Sequence, residues 1–405
     1  MSADAGAIPV SMSSETCSPL TRREFLTGAT LAAFGLGLGA SASVSGCLAA
    51  MPGSSSGATP SCIPSQTPRP LHEMRYYRTL AEGYAQCEVC FRRCVIRPDR
   101  LGFCSNVQNV GGRCYSLVYG LPCALQTDPI EKEPSFHMLP GSTIYCVATA
   151  SCNFRCQFCQ NWEISQQDLW HVLNTPATPE EVVAGAQEHG CQAISFTYTD
   201  PIVFFDYMLD IAELAREKGL KSLFHTNGTL TPRAMEAVME VMDAVVVDLK
   251  GFTNEFYQRV TKAELLPVLD GLRVVAASGK HLELVHLIIP TLNDDLDDIR
   301  RMCEWTLENL GANVPVHFIR FFPTYRLQRL PPTPLETLEQ AIAVADNVGL
   351  QYVYIGNVPS HRRNSTFCPN CGSRVLERIY FFVVSQEMLD GCCGFCGHPI
   401  PGVWA

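Results

Sequence analysis

Cys152, Cys156 and Cys159 stand in a C-x3-C-x2-C spacing inside the run Ser-Cys-Asn-Phe-Arg-Cys-Gln-Phe-Cys-Gln-Asn-Trp that starts at Ser151. Three thiolates on one short loop can hold three corners of a cubane iron–sulfur cluster. The fourth iron is then left without a protein ligand. A cluster held by four cysteines mainly carries electrons, whereas an iron with an open site is a place for chemistry. Three nearby cysteines also occur in zinc sites or as buried free thiols. A zinc knuckle, however, brings a close fourth Cys or His. The nearest here are Cys146, within an expected strand, and His171. The spacing favours the cluster.

Two further groups flank this loop. Cysteine use is high, 20 of 405 residues, and the residues fall into short CxxC-type groups. Such groups in a large chain read as metal sites before disulfides. Ahead of the loop, Cys87, Cys90, Cys94 and Cys104 offer four thiolates for zinc or for an auxiliary iron–sulfur cluster, with Cys114 and Cys123 as possible members. Near the end, Cys368-x2-Cys371 and Cys393-x2-Cys396 form two knuckles around a strand-like stretch at 375–384. That pattern predicts a structural zinc ribbon, in which metal binding folds a module with little core of its own.

The loop must be positioned by the elements behind it. Strand-like runs at 142–149, 193–198, 220–225, 244–249, 282–289 and 316–321 alternate with helical patterns. Thr178-Pro179-Glu180-Glu181 reads as a capping box with Pro at the first helical position, and Gly190 closes that helix. Phe205, Met208, Leu209 and Ala212 form an apolar helical stripe. Alternation of this kind predicts an α/β fold with a parallel sheet, here a partial (β/α)6 TIM-type barrel. Reactive groups in such barrels sit at the C-terminal strand ends. The cysteine loop follows the first strand. Thr199-Asp200-Pro201, His225-Thr226-Asn227-Gly228, Asp248-Leu249-Lys250-Gly251, Pro290-Thr291-Leu292-Asn293-Asp294 and Pro323-Thr324-Tyr325 follow the next five. Each alone reads equally as a turn; together they form a polar rim.

The C-x3-C-x2-C loop resembles the signature of the radical S-adenosylmethionine (SAM) enzymes. Asp128-Pro129-Ile130-Glu131-Lys132, the stretches 156–166, 198–205, 248–252, 288–294 and 320–325, Tyr352-Val353-Tyr354-Ile355-Gly356-Asn357 and Pro401-Gly402-Val403-Trp404 are similar to the radical SAM component of the AmmeMemoRadiSam system. That family is related to the activating enzymes of glycyl-radical proteins. The resemblance implies that Cys152, Cys156 and Cys159 hold a 4Fe-4S cluster whose open iron binds SAM. It implies that Phe158 lies along the adenine and that Asp248 and Lys250 contact SAM, with Asp200 and Asn227 as further cofactor-binding residues. A lysine suits the SAM carboxylate, and a carboxylate suits its ammonium or ribose hydroxyls. Two departures stand out. Asp200 occupies a position where the family tends to have Glu, and Ser151 replaces the usual Gly before the first ligand.

The N-terminus has a different character. Thr21-Arg22-Arg23-Glu24-Phe25-Leu26 resembles a twin-arginine export signal, followed by an uncharged stretch too weakly apolar and too short for a transmembrane span. Val44-Ser45-Gly46-Cys47 resembles a lipobox, which would make Cys47 a lipidated membrane tether; Ala40-Ser41-Ala42 is a competing cleavage site. The expected organisation is a signal at 1–50, a flexible linker at 51–75, a Cys-rich segment at 76–142, the barrel at 143–360 and the ribbon-like module at 361–405. Export to the periplasm or membrane surface is expected, with a cytoplasmic location as the alternative, since SAM and its reductant are cytosolic. A net charge of −10 without a long basic block argues against a nucleic-acid partner.

The resemblance implies an enzyme that cleaves SAM reductively to a 5′-deoxyadenosyl radical, which takes hydrogen from a substrate. Kinship with activating enzymes favours a protein substrate. A low-potential electron donor is required, and Memo-like and AMMECR-type proteins are the implied partners. Tyr325 and His225 are candidates for relaying hydrogen and equally for packing. The competing function is a non-catalytic iron–sulfur electron carrier or metal-bound scaffold, which would use the same cysteines without SAM.

Overall fold

The computed structural model describes residues 71–405. The twin-arginine-like stretch, Cys47 and the first part of the expected linker lie outside the described residues. Eight strands form the central sheet: β1 (Ala124–Pro129), β2 (Thr143–Ala148), β3 (Ala193–Phe196), β4 (Lys221–Thr226), β5 (Ala244–Asp248), β6 (His281–Ile288), β7 (Val316–Arg320) and β8 (Val353–Gly356). They lie side by side in sequence order. Neighbours from β2 to β8 are parallel, and β1 pairs antiparallel with β2.

β5 shows why such strands read as unbroken apolar runs. Successive side chains leave a strand on opposite faces. Val245 and Val247 join the core beneath the helices, while Ala244 and Val246 join a second core on the other face. Both faces are buried, as in parallel sheets generally. Fully burying each valine is worth about 1.5–3 kcal/mol.

Between these strands run α1 (Pro179–Glu188), α2 (Phe205–Glu217), α3 (Pro232–Val241), α4 (Leu265–Ala277), α5 (Leu296–Leu310) and α6 (Leu335–Val348). Thr178 and Glu181 form the expected reciprocal capping box on α1. Thr231 caps α3, and Asp295 caps α5 through the backbone N–H groups of Asp297 and Asp298.

The sheet is larger than the six expected strands. β1 carries Gln126, Thr127 and Asp128 and is half exposed at the sheet edge, so it has no apolar run to announce it. β8 is only four residues long. His72–Glu73, within the stretch read as linker, pairs antiparallel with Arg113–Ser116. Leu71–Ala405 forms one compact unit, so the Cys-rich segment and the ribbon-like hairpins pack on the sheet domain.

Two buried carboxylates close the bottom of the sheet. Glu283 on β6 accepts from the Ser135 hydroxyl, the Phe136 and His137 backbone N–H groups, and the imidazoles of His281 and His317. Glu131 meets Arg378 of the strand Arg374–Ile379, both fully buried, and the Arg378 guanidinium also donates to the Phe136 carbonyl at 2.7 Å. The C-terminal Val403 exchanges backbone hydrogen bonds with His137 and Leu139 at 2.7 Å. A Cβ at Gly402 would press on the His137 carbonyl oxygen.

Helix α4 lies directly against the turn after β4. A Cβ at Gly271 would overlap the carbonyl oxygen of Gly228, which itself has φ +76°. Overpacking against a fixed carbonyl typically costs 1–3 kcal/mol. Gly271→Ala is therefore expected to lower the urea-unfolding free energy by about that amount. An unchanged midpoint would show that helix and turn are free to separate.

Candidate active site

A cavity of about 680 Å³ opens at the C-terminal ends of the strands. Its wall includes Cys152, Cys156 and Cys159, together with Phe158, Asp200, Asn227, Asp248 and Lys250. Every residue assigned to the cluster or to SAM from sequence thus faces one space.

The cysteine loop is anchored on all sides. Ser151 adopts a left-handed conformation, φ +76°, a backbone state that glycine enters without strain. Its hydroxyl donates to the Cys104 carbonyl at 2.6 Å, which offsets part of the strain. The backbone N–H groups of Arg155 and Gln157 donate to Thr261 and Val260. The Arg155 guanidinium braces the Phe154 and Phe103 carbonyls at 2.8 and 2.9 Å. Burial pushes the Cys156 thiol up to about 12, with the nearby Lys250 ammonium pulling it back. Burial also raises Cys152 and Cys159. Ionising all three in this setting calls for a bound cation, as thiolate metal ligands require.

Behind the loop runs a chain of alternating charge. The Lys250 ammonium lies 2.7 Å from Asp248 Oδ2, and His225 Nε2 lies 3.3 Å from Asp248 Oδ1. His225 Nδ1 is 3.2 Å from Glu133 Oε2, which also accepts from Ser195 at 3.0 Å. Burial by itself would lower His225, but Asp248 and Glu133 outweigh it and hold its pKa at about 10. Burial likewise opposes ionisation of Asp248 and Glu133, yet their cationic neighbours hold both below the usual carboxylate range. The Lys250 ammonium lies 5.9 Å from the centre of the Phe158 ring.

Asp200 and Asn227 sit in the wall with their polar atoms already engaged. Asp200 accepts from the Ile202 N–H at 3.1 Å, the Thr226 hydroxyl at 3.0 Å and the Asn227 N–H at 2.7 Å. Burial raises its pKa to about 6 against those three bonds. The Asn227 amide donates to Asn153 Oδ1 at 2.7 Å, and its own oxygen accepts from the Thr229 hydroxyl at 2.6 Å. Asp200 therefore ties the segment after β3 to the turn after β4, and Asn227 ties that turn to the loop that carries Cys152. Tyr325, a candidate relay, stacks on Trp162 with ring centres 5.3 Å apart.

Several cavity residues were not singled out from sequence. Glu133 arrives from beyond β1, and only its place directly after the Asp128–Lys132 motif hints at it. Tyr198 has φ +60°; its carbonyl accepts from the Asn161 amide, and its hydroxyl meets Asp128. Asp128, Glu133 and Cys146 bring their ligand-type atoms within 4.8 Å of one another, and the Cys146 thiol donates to Glu133 at 3.2 Å. Tyr380 and Phe381, at the tip of the hairpin Arg374–Ile379 and Phe382–Gln386, also line the cavity. No local pattern says which part of the molecule a hairpin tip will meet.

The three cysteine groups differ in spread. The sulfurs of Cys368, Cys371, Cys393 and Cys396 all lie within 4.8 Å of one another. The Cys368–Cys396 and Cys371–Cys393 pairs are each 3.7 Å apart. Zn–S bonds of about 2.3 Å in a tetrahedron place sulfurs about 3.8 Å apart. Among the described residues, no three sulfurs of Cys152, Cys156 and Cys159, or of Cys87, Cys90, Cys94 and Cys104, come within 4.8 Å of one another.

Comparison with known proteins agrees with this geometry. The family model of the Radical SAM superfamily matches residues 146–305, from within β2 to within α5. An uncharacterized protein of Methanocaldococcus jannaschii is 40% identical over 332 residues, covering 82% of this chain and 99% of that protein. The pyruvate formate-lyase-activating enzyme of Streptococcus mutans is 25% identical over 235 residues, covering 51% of this chain and 87% of the relative. A solved domain of a pyruvate-formate lyase-activating enzyme from Bacteroides vulgatus superposes with a TM-score of 0.37 at 18% identity, covering 41% of this chain and 99% of that one. With three cysteines at the mouth of a mostly parallel sheet and this kinship, the chain belongs to the radical SAM superfamily, as an enzyme related to the pyruvate formate-lyase-activating enzymes, and membership implies a 4Fe-4S cluster and SAM.

Proposed function

We propose that this protein is a SAM-cleaving activating enzyme that takes a hydrogen atom from a protein or peptide substrate. The observation that carries the reading is the shared cavity: three free thiols, one buried and two half-buried, the Phe158 ring and the Lys250–Asp248 pair line one space. Cys152, Cys156 and Cys159 would hold the cluster. When bound, the cluster and SAM supply an electron and a C–S bond whose cleavage yields methionine and a 5′-deoxyadenosyl radical that abstracts hydrogen.

The chain's own residues bind, orient and exclude water. Lys250 is kept charged by Asp248 and offers its ammonium to the SAM carboxylate. Phe158 offers its ring to the adenine. Asp200 and Asn227 act as positioning residues for the turn and loop that carry these groups. Tyr380 and Phe381 also line the cavity and would help shield reactive species from water. Relatedness to enzymes named for activating pyruvate formate-lyase supports a protein substrate. The resemblance to the AmmeMemoRadiSam component supports Memo-like and AMMECR-type partners and a low-potential donor.

At the C-terminus, Cys368, Cys371, Cys393 and Cys396 hold one zinc in a ribbon-like module; their sulfur spacing supports this. The leader at Thr21–Leu26 supports export by the twin-arginine route, which carries folded proteins and so allows a cluster to be inserted first. In cell fractionation, Arg22→Lys/Arg23→Lys is expected to hold tagged protein in the cytosol. Equal distribution of both forms would end the export proposal.

Anaerobic reconstitution followed by dithionite and SAM is expected to yield 5′-deoxyadenosine and methionine. Cys156→Ala should abolish the yield. Lys250→Ala should raise the SAM concentration needed by about tenfold to a hundredfold, from the 1.5–3 kcal/mol of a charge-assisted hydrogen bond. A fully loaded cluster that never cleaves SAM would favour the electron carrier instead.

His225 gives a pH signature. Its folded pKa of about 10 exceeds the ordinary histidine value of about 6.5. Its charge therefore stabilises the fold fully below about pH 6.5, and the benefit is lost as pH rises toward 10. For the metal-free protein, the urea midpoint is expected to fall more between pH 6.5 and 9 in the wild type than in His225→Gln. Parallel profiles would mean that His225 is neutral in the fold.

A further inference from the structure

The N-terminal cysteines are gathered, yet not to the distance a single ion demands. The Cys87 N–H donates to the Cys94 carbonyl at 3.0 Å, and the Arg93 N–H to the Cys90 carbonyl at 3.0 Å, with Arg93 in a left-handed conformation. This folds Cys87, Cys90 and Cys94 into one knuckle. The turn at Gly102 and Ser105 brings Cys104 beside it. The Cys90 thiol interacts electrostatically with those of Cys87, Cys94 and Cys104. All four are free thiols. No three of their sulfurs lie within 4.8 Å of one another, unlike those of the C-terminal set. A cubane spreads its sulfurs because each thiolate binds a different iron, whereas one zinc draws four to about 3.8 Å.

We propose that Cys87, Cys90, Cys94 and Cys104 hold a second 4Fe-4S cluster, which passes electrons to the cluster on Cys152, Cys156 and Cys159. The metal site stands on this knuckle alone; only the relay rests on the function proposed above. The two groups are in direct contact. Ser151, next to Cys152, donates its hydroxyl to the Cys104 carbonyl at 2.6 Å. The Asn153 side chain interacts with the Cys90 thiol and lies 3.8 Å from the Cys152 sulfur. Arg92 donates to the Asn153 carbonyl at 2.7 Å, and its guanidinium sits among Cys90, Cys94 and Cys152. Arg155 stands beside Cys104. Two cations thus flank a four-thiolate site and offset its negative charge. In the relay, one electron enters from a low-potential one-electron donor protein and leaves to the first cluster; no bond forms or breaks.

The test is the metal content of the full chain after anaerobic reconstitution. About eight irons and eight sulfides per chain are expected in the wild type, and about four of each in Cys152→Ala/Cys156→Ala/Cys159→Ala, for two clusters of the 4Fe-4S type. Zinc should stay near one per chain in both and be lost in Cys371→Ser. The reduced triple variant should show an electron paramagnetic resonance signal that SAM does not alter. Adding Cys90→Ala/Cys104→Ala should remove that iron while circular dichroism stays unchanged. Wild-type protein with about four irons and two zincs would overturn the proposal without any variant. So would iron in the triple variant that survives loss of Cys90 and Cys104. A wild-type signal wholly insensitive to SAM, with eight irons present, would instead sink the first-cluster reading and leave the second site standing.

Discussion

The site depends on keeping ions charged in a place with little water. Lys250, Asp248, His225 and Glu133 succeed one another with alternating sign, each within 3.3 Å of the next. A lone buried charge would neutralise itself by shifting its pKa, because desolvation of one ion is worth several kcal/mol. The alternation removes that option. Each carboxylate is held down and each base held up by its neighbours, against the pull of burial. The chain ends at Lys250, whose position beside Cys156 and Phe158 puts a permanent cation where an anionic ligand group would sit. Its far end, Glu133, is fixed by Ser195 and Cys146 on neighbouring strands. Positioning and electrostatics are therefore one arrangement.

The same logic recurs at the closed end of the sheet, where it serves structure. Glu283 gathers donors from the segment at 135–137, from its own strand and from β7. Arg378 ties the C-terminal hairpin to Glu131 and to the Phe136 carbonyl. The Arg378 contacts fix the hairpin just before its tip, Tyr380 and Phe381, which lines the cavity. A buried pair of this kind contributes little net stability over an apolar alternative. What it contributes here is a defined orientation for the strands that carry the tip.

The cysteine groups and the six inner strands were legible because each is written locally. A C-x3-C-x2-C loop needs neighbours only within itself, and a doubly buried strand shows its burial in every residue, as Val245, Val246 and Val247 do. β1 escaped because an edge strand with one wet face has no such run. Glu133, Tyr198 and the hairpin tip escaped because they reach the cavity through tertiary packing. The hydrogen bonds of Asp200 and Asn227 to Thr226, Asn153 and Thr229 were also illegible, because they tie together segments after β2, β3 and β4 that lie far apart in the sequence.

Ser151 and Asp200 make physical sense together. Ser151 takes a conformation that costs a non-glycine residue about 1–3 kcal/mol. A glycine would avoid that strain but could not reach the Cys104 carbonyl. Serine thus exchanges local comfort for a tie between the N-terminal knuckle and the cysteine loop. Asp200 does the equivalent on the opposite side. Its short carboxylate ends on the backbone of Asn227 and the hydroxyl of Thr226, and Asn227 in turn holds Asn153, the residue after Cys152. Both residues strengthen the hold on the loop that carries Cys152. A loop held from two sides loses less entropy when it closes around a metal, because much of its ordering is already done by the fold.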